Sequence, residues 1–208
     1  NEIAWVENRL NTPLEVKKAL QFLRSDDPRT KQRDGENYIP TDQLYILSPD
    51  SQQIMLKKAR RFTRSEMMVM EMLSTNEWKR PMYFATTIGS DYHLGLDPYL
   101  ELTGMAYRIT PTRSADGRPR VNTEVMYDNM MNKFRYGNVN KPGIYLDENT
   151  LRMCRTHRMM FSELAEALYE EGKHDKAIEV LDYAEEMLPG YNVSYDYTSA
   201  SMAALYYT

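Results

Sequence analysis

Between residues 155 and 189 the sequence sets large and small apolar side chains at the spacings two antiparallel helices need in order to touch. Phe161 and Leu164 are large and Ala165 beside them is small. Gly172 falls where a turn is required, Ala177 is small again, and Leu181 and Ala184 repeat the pairing of large with small. Small side chains let two helix axes approach, while large ones fill the space on either side. Pro189 then stops the second helix. A strand, with its period of two, has no use for this spacing, so the C-terminal end is constrained to a helical hairpin.

With Pro189 placed at the closing proline of a tetratricopeptide unit, every one of these residues occupies the slot its size requires. Such units normally bury their faces in stacks of about three. Here one is followed by the first helix of another, within residues 192–208, where Tyr195, Ser199, Met202 and Tyr206 recur at helical spacing and are expected to pack on the hairpin. Ala200, Ala203, Ala204 and Tyr207 fall largely elsewhere on that helix. A face of small residues with no helix to cover it is a candidate interaction surface.

Upstream the patterning is mixed. Thr12-Pro13-Leu14-Glu15 predicts a capped helix over 13–24, a polar run follows to Asn37, and residues 38–47 read as extended. The basic cluster Lys57, Lys58, Arg60 and Arg61 reads as a solvated helix face. Thr63-Arg64-Ser65-Glu66 is a second capping box that opens a Met-rich helix to about Thr75, and Pro81 marks the change to a buried strand over 82–86. Residues 100–110 read as a further strand. Asn122 caps a helix carrying Met126, Met130 and Phe134 on one side, with Gly137 placed to stop it, and everything from Asn149 onward reads as helical. The fold class expected is α+β: a mixed domain with short helices and a small sheet over 1–148, then an all-helical tetratricopeptide-like domain over 149–208.

Composition removes several functions. Twenty-six Lys and Arg against 30 Asp and Glu, with both signs interspersed, build no field for a phosphate backbone, which excludes nucleic acid as a partner. No apolar run approaches the roughly 18–20 residues of a membrane span. The single cysteine, Cys154, has no partner for an internal disulfide, and the three histidines share no zinc-ligand spacing, so neither a metal nor another cofactor is expected. Cys154 and His157, three apart on one helix, lack the orienting group and oxyanion donors that nucleophilic catalysis requires. No phosphate-cradling glycine loop, nucleotide fingerprint or serine elbow is present. The segment most open to a binding role is the loop 89–98, where Asp91, His93 and Asp97 follow the expected strand and could hold a metal or a sugar, although Asp and Gly are also ordinary turn formers.

The block Asn76-Glu77-Trp78-Lys79-Arg80-Pro81-Met82-Tyr83-Phe84-Ala85, with Gly89-Ser90-Asp91, Leu94-Gly95-Leu96 and Gly104-Met105-Ala106-Tyr107-Arg108, resembles the C-terminal part of the protein O-mannosyltransferase-like bacterial membrane proteins, grouped with the GT-C glycosyltransferases. The resemblance extends through Ser25-Asp26-Asp27-Pro28, Tyr38-Ile39-Pro40-Thr41, residues 126–134 and Tyr145-Leu146-Asp147-Glu148-Asn149. It implies a soluble tail facing the periplasm, attached to many N-terminal membrane spans, with catalysis housed in the membrane portion. The opening Asn1-Glu2-Ile3-Ala4-Trp5, without Met, reads as the interior of such a longer chain. The expected function is therefore a non-catalytic extracytoplasmic tail that binds a protein partner, the membrane-embedded part of the parent, or a glycan. An independent enzyme using the Asp91, His93 and Asp97 loop, and a purely structural tail, remain the alternatives.

Overall fold

A computed structural model describes residues 3–207. The fold is α+β. It divides into two compact units: residues up to Leu100 together with Arg108–Pro119, and Glu101–Tyr107 together with the residues from Arg120 onward.

The first unit is built on two small three-stranded sheets. Strand β1 (Ile3–Val6) and strand β2 (Leu14–Glu15) precede helix α1 (Val16–Leu23), and β3 (Tyr38–Ile39), β4 (Leu44–Leu47), β5 (Gln53–Met55) and β6 (Arg61–Thr63) follow it. One sheet runs in the order β3-β1-β6, with β1 parallel to β3 and antiparallel to β6; the other runs β2-β4-β5. Helix α2 (Arg64–Asn76) starts on the Thr63 and Glu66 capping box, whose two reciprocal bonds are both made. Ile39, Leu44, Ile54, Phe62 and Met70 are fully buried in this unit.

Several local expectations are corrected here. Thr12 caps nothing, because the backbone N–H of Leu14 donates to the Gln43 carbonyl (2.9 Å) and Leu14–Glu15 pair with β4, so α1 begins only at Val16. A sheet ladder satisfies the amides that the helix start would have left open. Pro40 breaks the extended run over 38–47 into β3 and β4. The basic cluster lies on no helix, and Lys57 instead reaches Glu66 at 2.7 Å. Strand β7 (Tyr83–Ala85) buries only Phe84, its neighbours facing outward as a period of two requires.

The chain passes between the units along β8 (Leu100–Leu102) and β9 (Ala106–Ile109), which replace the single strand expected over 100–110. They are parted by Gly104, whose φ of +135° favours glycine. In the second unit β10 (Arg120–Val121) runs parallel to β8, and α3 (Thr123–Tyr127), capped by Asn122, continues as a π-helical stretch, Asp128–Lys133. This ends at extended Phe134, three residues before Gly137.

Helices α4 (Glu148–Glu170) and α5 (His174–Met187) form the hairpin, turned at Gly172 with φ +75°. Helix α6 (Tyr197–Leu205) follows on an Asp196 capping box, so the residues between α5 and α6 are loop rather than helix. Phe161, Leu164, Ala165, Leu181 and Ala184 share one buried cluster with Ala177, itself 2% exposed. Leu102, Met126 and Met130 belong to the same cluster. Glu171 accepts from Thr123 Oγ1 (2.9 and 3.0 Å) and Glu179 from Tyr127 Oη (2.7 Å), fastening α3 to both arms of the hairpin.

Candidate functional site

The loop 89–98 is nailed down from within. His93 is 3% exposed and stacks obliquely on Phe84 (ring centroids 4.9 Å apart), and its Nδ1 lies 2.9 Å from Asp97 Oδ1. Leu94 and Leu96 on either side are fully buried. Lys57 clamps the loop twice, its backbone N–H donating to the Leu94 carbonyl (2.8 Å) and its Nζ to the Asp91 carbonyl (2.6 Å). Leu94 and Gly95 both take positive φ, and a Cβ on Gly95 would stand 3.0 Å from the Lys57 nitrogen. The structure therefore joins His93 to Asp97 and leaves the exposed Asp91 side chain out of that pair. No group of three or more His, Cys, Asp or Glu able to hold a metal occurs among the described residues.

Cys154 and His157 are set against nucleophilic chemistry. Burial pushes the Cys154 thiol above its ordinary range, and burial pushes His157 below its own, so the pair resists the thiolate and imidazolium state a dyad uses. His157 sits edge-on to the rings of Phe134 and Tyr136.

On α6, Met202 is buried against the hairpin and Ser199 is half-buried, while Tyr195 and Tyr206 remain largely exposed. Ala200, Ala203, Ala204 and Tyr207 all face solvent, Tyr207 at 92%. Between α5 and α6 lies a groove of about 450 Å³ with Leu181, Ala184, Met202 and Ala203 among its lining residues. Its two walls are bridged by Tyr206 Oη donating to Asp182 Oδ1 (2.8 Å) and Tyr195 Oη donating to Glu185 Oε1 (2.6 Å). Both phenols are shifted upward: burial leads at Tyr206, with the Asp182 bond second, and at Tyr195 the Glu185 bond leads. Glu185, Asp196 and Arg158 also line the groove, beside its apolar residues.

Sequence reasoning passed over Arg158, which is 2% exposed and shapes this region. Its guanidinium donates to the carbonyls of Leu188 (2.7 Å), Val193 (2.7 Å) and Ser194 (2.9 Å), drawing the loop between α5 and α6 against α4, and Tyr195 lies over it. The signal was present: Cys154, Arg158, Phe161, Ala165 and Leu168 form one inward stripe, and a charge in such a stripe needs several partners.

The family model of TMEM260-associated domain 2 matches residues 47–129, a span that carries the loop 89–98 and stops before the helical hairpin. That domain is tied by its description to a membrane-protein family. No curated protein and no solved structure matches the chain. No described helix is long and apolar enough to cross a membrane.

Proposed function

We propose that the chain is a non-catalytic, extracytoplasmic accessory tail of a membrane-embedded glycosyltransferase-like protein, and that its tetratricopeptide-like helices dock a partner helix. The observation that carries this reading is the groove between α5 and α6, about 450 Å³ with an apolar floor, beside an exposed face of three alanines. Small side chains admit a further helix at close range, and an uncovered apolar face commonly marks a contact site. Similarity over residues 47–129 to a domain associated with a membrane-protein family supports the attachment. The sequence resemblance to O-mannosyltransferase-like proteins supports the glycosyltransferase-like parent and the periplasmic face.

The test uses the full-length gene product, with a photo-crosslinking side chain at Ala203 or at the exposed Arg33 of the first unit. A crosslink from position 203 to one defined protein, or to the membrane-embedded part of the same product, that disappears with Ala200→Glu is the expected result. Equal crosslinking from both positions would remove the docking face. Turnover of a lipid-linked sugar by the purified chain, lost with Asp91→Ala or His93→Ala, would instead make the loop 89–98 an enzyme's site.

A further inference from the structure

At the end of α2 the chain is forced into a costly shape. Glu77 and Trp78 both take left-handed backbone angles, φ +47° and +60°, which for residues with a side chain costs on the order of 1 kcal/mol or more each. The turn is locked all the same. The Asn76 side chain donates to the Arg80 carbonyl (2.7 Å) and accepts from its N–H (3.2 Å), while the Lys79 N–H donates to the Asn76 carbonyl (2.9 Å). Trp78 Nε1 donates to the Leu47 carbonyl (2.7 Å), which fixes the indole and leaves its carbon surface as what it offers a ligand.

Beside this turn is a cavity of about 340 Å³ whose lining includes Trp78, Lys79, Arg80 and Arg108 and no acidic residue. That volume lies within the small-ligand range of about 300–1,000 Å³. The Ile109 N–H donates to the Met82 carbonyl (2.9 Å), holding the segment of Arg108 alongside that of Arg80. Lys79 is paired with Glu77 at 2.7 Å, a carboxylate that Lys17 also reaches at 3.4 Å. Arg80 and Arg108 line the same cavity, and neither forms an ion pair with a carboxylate among the described residues.

We propose that this cavity binds an acidic monosaccharide unit, a sugar bearing a carboxylate or a phosphate. The two guanidinium groups take the oxyanion, for which their planar donors are suited, and the fixed indole takes the C–H face of the ring. The site shares no lining residue with the helical groove and does not rest on the reading built on it.

Isothermal titration of the whole chain with glucuronate, glucose 6-phosphate, glucose and inorganic phosphate tests it. Both sugar acids bind saturably, glucose does not, and affinity falls as salt rises. Arg80→Gln and Arg108→Gln each weaken both acids about tenfold or more, the scale of one charged hydrogen bond, with unchanged far-ultraviolet circular dichroism because both side chains are exposed. Trp78→Phe, which shrinks the ring face and removes the bond to Leu47, weakens the sugar acids and not inorganic phosphate. Absence of saturable binding by either acid, equal binding of glucose, or indifference to the double arginine variant overturns the site. Inorganic phosphate binding as tightly as both sugar acids overturns the saccharide.

Discussion

The Arg158 guanidinium donates to the carbonyl of Leu188 at 2.7 Å, across the hairpin, with no carboxylate between them. Leu188 is the C-terminal cap of α5, where exposed carbonyls concentrate partial negative charge, so the helix end itself serves as part of the counter-ion. Val193 and Ser194 supply two more carbonyls, and the fork of the guanidinium is shared among all three.

Arg158→Met keeps much of the volume and removes every donor, leaving buried carbonyls open. It is expected to cost on the order of 3 kcal/mol or more. Arg158→Lys recovers only part of this, since a single ammonium cannot reproduce the planar fork. Urea denaturation of the three proteins checks the order. A cost under about 0.5 kcal/mol for the Met variant would mean that the loop between α5 and α6 does not depend on these bonds.

Ala177 of α5 is 2% exposed within the buried cluster it shares with Phe161, Leu164 and Ala165 of α4. A leucine there must push the helices apart, and overpacking of this kind costs about 1–3 kcal/mol. Ile178→Ala, one position along α5 and exposed, changes little by comparison. Denaturation midpoints of the two variants separate the inner and outer faces of α5.

What was legible in the sequence follows from how local the determinant is. The Thr63 capping box and the Asn122 cap depend on side chains reaching backbone within three residues, and both form as read. The hairpin was legible because residue size at Ala165, Ala177 and Ala184 encodes the approach of its own two helices. Thr12 failed because Gln43, far along the chain, claims the Leu14 amide, and no local rule contains that pairing. Loop 89–98 was legible only in part. The spacing of four places His93 on Asp97, whereas the role of Lys57 in fastening the loop comes from a residue 34 positions away. Arg80 and Arg108 come to line one cavity for the same non-local reason, the backbone bond from Ile109 to Met82.

Gly104 links the β8–β9 turn to Phe134. Its φ is +135°, and a Cβ built on it would meet Phe134 Cζ at 3.0 Å. Gly104→Ala therefore suffers both backbone strain and a clash, about 1–3 kcal/mol together. Phe134→Leu relieves the clash alone, so the double variant should be less destabilised than the sum of the singles. Additivity within about 0.3 kcal/mol would show that backbone strain is the whole effect. Gly117→Ala, with positive φ but open space around it, isolates the backbone contribution.

His157 should make the helical unit sensitive to mild acid. Its Nδ1 is buried without a hydrogen-bond partner among the described residues, it packs edge-on to Phe134 and Tyr136, and burial holds its pKa below the ordinary value of about 6.5. The unfolded chain therefore takes up this proton at a higher pH than the folded one. Above the unfolded value both states hold the neutral imidazole, and the site adds no pH dependence to stability. As pH falls below it, the unfolded state gains protons first and stability declines, until the folded pKa is passed and both states are protonated. Wild type is thus expected to lose more of its urea midpoint between pH 7.5 and pH 5.0 than His157→Phe, which keeps an aromatic ring at the site and cannot titrate. Because other groups titrate in both proteins, the difference between the two declines is the quantity to read. Identical declines would mean that the imidazole is hydrated, or gains a partner, when it takes its proton.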